Sequence, residues 1–568
     1  MNSTSADRVS ASLDDPRYYL SNFQFVLDWV AARHHDLLDD AELAFLRDFP
    51  QLPVASRALL VRMVMRRGEV FRLSRLDYAE IGDTTAALAP LQQAGWVEAD
   101  PECELSELFR QLRLPELRQA LADEMAAAGV SRSASKAALH EALQARLTRP
   151  RPLSEWWPQA PDRLVRVTVM LLCDRLRLMF FGNLRQDWAE FVLTELGMQR
   201  FESVAFDAAS RAFGRRAEVD EYLFLHRLRE RLDAGENSVA LGETLAESPS
   251  AEASANAWLA SRRARLLVHL GREAERQGET QAALGLYARA GDGEGRIRRL
   301  RLLERCGEHA RAHALLEQAG EVGEREAQAL ARLRTRLRRR LGLTAEPTPR
   351  EASPERLDLT LPPTGERVEL AVVAHLSSPE APVYYVENAL IGGLFGLLCW
   401  EVLFAPLPGA FFHPFQSAPA DLGREDFVAR RRQRFEACLA ELDDGRYRHT
   451  IARHWQTKQG LSATFLHWER LSWPLIEQAL DCLPAAHLRA CFERILADPR
   501  VNRSGLPDLI QFLPDGPAPH YRLIEVKGPG DRLQDNQRRW LSFFQARRMP
   551  VAVCHVGWQK GVGWQEAP

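Results

Sequence analysis

Apolar positions recur every three or four residues over most of the first 340 residues, which predicts helices. The first hundred residues follow this pattern, with "FRLSRLDYAEIGDTTAALAPLQQAGWVEAD" (71–100) as a small helical module that ends in an extended arm. In 105–147, Leu114, Leu117 and Leu121 set one helical face, Gly129 marks a turn, and Lys136, Leu139 and Leu143 start a second helix. From about 163 to 342 the pattern is helical throughout. Further on, "YYVENALIGGLFGLLCWEVLF" (384–404) places Glu387, Leu390, Ile391, Leu394, Leu398 and Glu401 on one face of a helix. Then the period changes. "LPDLIQFL" is apolar and β-prone, "PDGPAPH" forms a turn, and "YRLIEVKG" alternates. "DRLQDNQRRWLSFFQ" (531–545) predicts a helix capped by Asp531, and "MPVAVCHVG" (549–557) a third strand.

Proline and small polar residues mark boundaries at 147–162, 246–257 and 343–367, the last being the clearest linker. "GETQAALGLYARA" (278–290) matches "GEHARAHALLEQA" (307–319) in its glycine, acidic, alanine and leucine positions. A fixed offset with small residues where helices cross predicts stacked helical hairpins of TPR-like type. Arginines crowd into "RIRRLRLLER" (296–305) and "RLRTRLRRRLG" (332–342). Such a run is ordinarily a solvated helix face. The second carries no acidic residue, which makes Arg336, Arg338, Arg339 and Arg340 candidate phosphate contacts.

Composition narrows the class. At 568 residues the chain is too long for one compact domain, and 46% hydrophobic with 27% charged residues fits a soluble globular protein. Lys and Arg number 74 against 77 Asp and Glu, a net charge of −3, which excludes a uniformly basic nucleic-acid binder but leaves local patches. The eight cysteines form no CxxC pair and no metal-ligand spacing, so buried thiols in a reducing compartment are expected, without a zinc site. The N-terminus has no apolar core of signal-peptide type. The most membrane-like run, "NALIGGLFGLLCWEVLFAPLPGAFF", is interrupted by Glu401, Pro406 and Pro408 and predicts a buried helix rather than a span.

The candidate chemistry lies in 504–540. A period of two puts Tyr521, Leu523, Glu525 and Lys527 on one face and Arg522, Ile524 and Val526 on the other. A hairpin brings Asp508 beside Glu525. Two carboxylates and a lysine suit phosphodiester hydrolysis: the carboxylates hold hard divalent ions, and the lysine orients water or neutralises phosphoryl oxygens. The alternative is a solvent-facing Glu–Lys pair on an edge strand. Glu387 reads either as an inward-facing ligand or as a carboxylate favoured near a helix N-terminus. Gln537 shares a stripe with Leu533, Trp540, Leu541 and Phe544. It needs a buried partner, which the active-site edge of the sheet would provide, unless it sits at a wet helix margin.

These motifs carry a family resemblance. "GLPDL", "EVKGPGDRL" and "NQ…W" together resemble the VRR-NUC branch of the PD-(D/E)xK nucleases. The 105–147 pattern resembles a SAP DNA-binding module, with Ser135 where that family usually has glycine before the lysine; a plain helical hairpin fits the spacing equally. The order of a SAP-like module, TPR-like helices and a C-terminal VRR-NUC domain is similar to the Fanconi-associated nuclease family, as is "LFGLLCWEVLF" followed by "PGAFFHPFQSAPADL". With no Cys/His cluster for the zinc finger of eukaryotic members, the chain looks like a short, bacterial-type member.

The resemblance implies a multidomain, mainly α protein. Its parts are a helical N-terminal domain (1–104), a SAP-like module (105–150), a TPR-like domain (151–342), a linker (343–367), a helical region (368–440) and an α/β restriction-endonuclease-like nuclease core (441–568). It further implies metal ligation by Asp508, Glu525, the Val526 carbonyl and Glu387, with Lys527 as catalytic lysine, Gln537 in support, and Mg²⁺ or Mn²⁺ in a two-metal site. The implied activity is 5′-flap endonuclease and 5′-to-3′ exonuclease cleavage of branched DNA in interstrand-crosslink repair, with four-way-junction resolution as the nearest alternative. A helical-repeat protein-binding scaffold with a relic nuclease domain is the alternative of another class. Lys136, the 332–342 arginines, Arg500 and Arg503 are the expected DNA contacts. The expected location is the cytoplasm, on the nucleoid, or the nucleus in a eukaryote.

Overall fold

The computed structural model describes residues 14–248, 256–291, 293–344, 353–363 and 365–559. Parts of the proline-rich and small-polar boundaries at 246–257 and 343–367 lie outside them. The chain forms two units, one built from 1–199, 206–219 and 412–415, the other from 200–205, 220–411 and 416–568.

In the first unit, helices Tyr18–His34, Asp40–Asp48, Val54–Val64 and Thr84–Gln93 are accompanied by strands β1 (Val70–Arg72), β2 (Val97–Ala99) and β3 (Leu164–Val167), in antiparallel order β1-β3-β2. The extended arm expected after the 71–100 module is β2. Local capping sets the helix starts: Asp83 accepts from the N–H groups of Thr85 and Ala86, and Asp39 and Glu42 form a capping box. The reading of 163–342 as helical throughout fails at β3. "LVRV" is too short to show a period, and its pairing partners lie more than sixty residues upstream. The TPR-like region therefore begins later than 151, since 151–199 belongs to the first unit. The intervening segment folds as helices Leu105–Gln111, Leu114–Ala120, Ala122–Ala127 and Lys136–Gln144, around Leu108, Leu117, Leu121, Leu139 and Leu143. Ser135 caps the last of these, accepting from Ala138 N–H.

The second unit carries the helical repeats. Ala257–Arg276 pairs with Thr280–Ala290, and Glu294–Arg305 with His309–Glu317, around a leucine-rich core. The matched glycines perform the same turn: Gly278 has φ +82° and Gly307 φ +81°. In each turn the glycine carbonyl accepts the N–H two residues on, from Thr280 and His309, at 2.8 Å. Only glycine holds this left-handed conformation without strain.

A five-stranded sheet follows: β4 (Glu355–Leu361), β5 (Val383–Tyr385), β6 (Leu509–Phe512), β7 (Tyr521–Lys527) and β8 (Val551–Trp558), in spatial order β4-β8-β7-β6-β5. β4, β8 and β7 are parallel; β6 and β5 run antiparallel to their neighbours. Ile524 and Val526 point into an apolar layer with Ala371 and Val372 of helix Val368–Leu376. On the opposite face, Tyr521 meets His487 of helix Ala485–Ala497, 2.8 Å from Oη to Nδ1. β4 corrects the linker reading of 343–367. Its alternation in "ERLDLTL" was hidden by flanking prolines and charges, because an edge strand needs few apolar residues. The sheet therefore draws strands from both the expected linker and the expected helical region before 441.

Two helices differ from expectation. The 384–404 run is not one helix: Ala389–Leu398 has all ten residues buried, the chain bends at Cys399, and Glu401 is exposed on a separate short helix, Trp400–Leu403. Among the described residues no helix is long and apolar enough to cross a membrane. The C-terminal helix is Asp535–Ala546, capped by Gln534, not by Asp531. Asp531 instead accepts the N–H of Gly528, closing the turn after β7.

Candidate active site

The site forms where β6 begins and β7 ends, beside the start of the buried helix Ala389–Leu398. Strand pairing sets Leu509 opposite Ile524, and Asp508, the residue before β6, accepts the N–H of Val526 on Oδ2 at 2.9 Å. The main-chain carbonyl of Asp508 accepts the N–H groups of both Val386 and Glu387 at 2.8 Å. Three segments far apart in sequence are thereby tied at one residue.

In an antiparallel pair the N–H and C=O of one residue face the same neighbour. The Val526 carbonyl thus faces the flank where its N–H meets Asp508.

Glu525 is fully buried. Lys527 Nζ, itself buried, lies 2.7 Å from its Oε1, and the Asp508 carboxylate is its other charged neighbour. Burial first, and then the Asp508 carboxylate, push the Glu525 pKa up to about 8 against the pull of Lys527. Asp508 is also raised, chiefly by burial. The Val526 N–H and Lys527 oppose that shift, while Glu369 and Glu387 add to it. A buried carboxylate beside a second one is a costly arrangement unless a cation completes it. Among the described residues no three His, Cys, Asp or Glu side chains could hold a metal ion on their own. The donors that fit one are Asp508, Glu525 and a main-chain oxygen, which suits a hard divalent cation.

Glu387 is not on a helix. It has φ +38°, two residues before helix Ala389–Leu398. Its Oε2 accepts from Tyr385 Oη at 2.8 Å and from Arg470 Nη1 at 2.7 Å. Burial acts to raise its pKa, but these two donors outweigh that and hold it below the ordinary value. Gln537 has the place of N3 in its helix: its side-chain oxygen accepts the Gln534 N–H at 2.8 Å, so the expected buried partner is the helix's own cap. Leu533 lies outside the helix. Tyr385, Arg470 and Glu369 were not singled out in the sequence. They reach the cluster from an edge strand, a loop and the first turn of helix Val368–Leu376, and no short motif announces them.

The expected DNA contacts divide. Lys136 Nζ donates to the Leu112 carbonyl at 2.8 Å, and Arg336 forms a two-pronged pair with Glu304 at 2.8 and 2.7 Å. The acidic partner missing from the arginine run comes from the neighbouring helix. Arg338 donates twice to the Thr344 carbonyl. Arg339, Arg340, Arg500 and Arg503 are exposed, with Arg500 only loosely paired to Asp498 at 3.7 Å.

A mixed sheet that presents Asp, Glu and Lys at the ends of two adjacent strands defines a phosphodiester-cleaving domain, and residues 442–558 match the VRR-NUC domain family. Residues 17–98 match the FAN1 HTH domain and 104–156 the Fanconi anemia-associated nuclease SAP domain. The chain is 52% identical to a Fanconi-associated nuclease 1 homolog of Pseudomonas aeruginosa, with 97% of each chain covered. It is 26% identical to the Oryza sativa homolog over 95% of this chain and 62% of that one. A crystal structure of paFAN1 bound to 5′-flap DNA with a 2-nucleotide flap and a gap matches with a TM-score of 0.90 and 50% identity, over 97% of this chain and 100% of that one. A second, with a 1-nucleotide flap, matches equally well over 96% of this chain. The chain belongs to the Fanconi-associated nuclease 1 family, and it is a nuclease.

Proposed function

We propose that this nuclease cuts branched DNA in a structure-selective way, with a 5′ flap as its preferred substrate, and that its site works with Mg²⁺ or Mn²⁺. The observation that carries this reading is the cluster of Asp508, Glu525 and Lys527, two carboxylates gathered in a buried site with a single lysine 2.7 Å from Glu525 Oε1. Its setting is a chain 50% identical to paFAN1, whose structure holds 5′-flap DNA. Asp508, Glu525, the Val526 carbonyl and Glu387 are the groups that would hold divalent ions. Bound there, such ions lower the pKa of water and stabilise charge on the attacking and leaving oxygens.

The chain's own groups do the rest. Burial and the neighbouring Asp508 carboxylate raise the Glu525 pKa, which relieves the repulsion between two carboxylates held side by side without a cation. Lys527, held against Glu525, places a positive charge beside the cluster to neutralise a phosphoryl oxygen or orient water. The Asp508 carbonyl accepts the N–H groups of Val386 and Glu387, which ties the backbone of Glu387 to that of Asp508. Exonuclease action from a 5′ end and a place in crosslink repair follow from the same family reading.

The test is cleavage mapping on labelled 5′-flap, 3′-flap, fork and four-way DNA, with Mg²⁺, Mn²⁺ or chelator. The expected result is metal-dependent cutting strongest on the 5′ flap. Paired symmetric nicks on the four-way junction, or cutting in chelator, would overturn it.

A further inference from the structure

Glu387 presents a conflict that the proposed function does not resolve. The oxygen Oε2 already receives two donors, the Tyr385 hydroxyl and the Arg470 guanidinium. A permanently charged guanidinium 2.7 Å away repels a divalent ion from that carboxylate. Arg470 and a cation on Oε2 therefore exclude one another. Arg470 is free to leave: it ends the short turn Trp468–Arg470, its side chain is 39% exposed, and its guanidinium lies over the Tyr385 ring at 5.8 Å from the centroid. Glu387 is not free. Its backbone is left-handed and bonded to the Asp508 carbonyl.

We propose that Arg470 is an exchange residue. It serves as the counter-ion of Glu387 while the site lacks a cation, and moves to a phosphate oxygen of the DNA when a divalent ion takes Glu387. Guanidinium geometry suits both partners, since carboxylate and phosphate offer the same pair of acceptor oxygens. The exchange couples metal occupancy to phosphate capture, so an arginine free to grip the scissile phosphate appears only when the metal site is filled. The inference rests on the reading of Glu387 as a metal ligand.

The experiment compares wild type, Arg470→Gln, Arg470→Lys and Glu387→Gln in full-length protein. Mn²⁺ binding is measured by calorimetry without DNA, and single-turnover cleavage of a 5′-flap duplex at saturating Mn²⁺. Arg470→Gln is expected to bind Mn²⁺ about fivefold or more tightly, the scale of a typical coupling between two sites. Its cleavage rate is expected to fall about a hundredfold, the scale of losing one transition-state donor, with partial recovery in Arg470→Lys. Unchanged or weaker Mn²⁺ binding by Arg470→Gln, or an unchanged cleavage rate, overturns the exchange. If Glu387→Gln binds Mn²⁺ as wild type does, the ligand reading itself fails. If Glu387→Gln weakens binding while Arg470→Gln leaves it unchanged, only the exchange fails. Arg470→Lys keeps a cation beside Glu387, and so separates loss of the exchange from loss of the fold.

Discussion

Glu525 combines complete burial with a carboxylate neighbour and a lysine at 2.7 Å, so it adds a pH-dependent contribution to the stability of the metal-free protein. Its folded pKa of about 8 lies above its ordinary value of 4.5. The native state therefore keeps a proton that the unfolded chain has already released, and stability at this site falls as pH rises between those values and is level above. The buried His34 and His413, lowered to about 4 and about 3, act in the opposite sense below their ordinary 6.5. The clean measurement is thus a difference. Melting temperatures of wild type minus Glu525→Gln in chelator should decline from pH 5 to pH 8, and a flat difference would refute the burial argument. Asp508→Ala should lower cleavage by at least ~100-fold and leave flap binding in Ca²⁺ largely intact; near-normal cutting would remove Asp508 from the site. The period of two was enough to put Glu525 and Lys527 on one face, and the Pro-Asp turn to bring Asp508 to them. Arg470 is legible only in three dimensions, because it meets Glu387 across 83 positions of sequence.

At the scale of elements, the segment between helix Ala485–Ala497 and β6 is tightly constrained. Gly505 has φ +93°, and a Cβ there would lie 2.7 Å from the main-chain carbon of Asn536, in the first turn of helix Asp535–Ala546. The next residue, Leu506, donates its N–H to Asn388 beside Glu387. Gly505→Ala must strain the backbone and push against another backbone, so a loss of about 1–3 kcal/mol is expected in urea unfolding. Divalent-ion affinity should fall with it, since the loop leads directly to Asp508. Elements marked by an apolar run or by alternation were legible: the buried helix before the site, the hairpin β6–β7 and β8. Those that failed were short or borrowed. β3 and β4 are specified by partners distant in sequence, and the helix Asp535–Ala546 is closed at its start by Gln537, which accepts the Gln534 N–H through an amide that looks like any other surface glutamine.

Across the whole molecule, a net charge of −3 means that DNA must be held by local positive surface. Most of the arginines of 332–342 are internally engaged, which leaves Arg339 and Arg340 as the exposed pair at the end of helix Glu324–Arg340. Replacing both with alanine should weaken flap binding and flatten its salt dependence by roughly one unit of log–log slope per residue. Arg336→Ala should leave that slope unchanged, because its charge is spent on Glu304. Equal slopes for all three proteins would place the DNA elsewhere. The sheet order carries a practical consequence. β4 pairs with β8 along its whole length, Glu355 with Ala552 through Leu361 with Trp558. A fragment that begins at 368, where the sequence reading starts the helical region before the nuclease core, would strip that partner away. It would leave β8 as a bare apolar margin open to other chains. Such a fragment should aggregate where one beginning before Glu355 stays monomeric, so the catalytic half of this protein can be excised only with what looks like its tether.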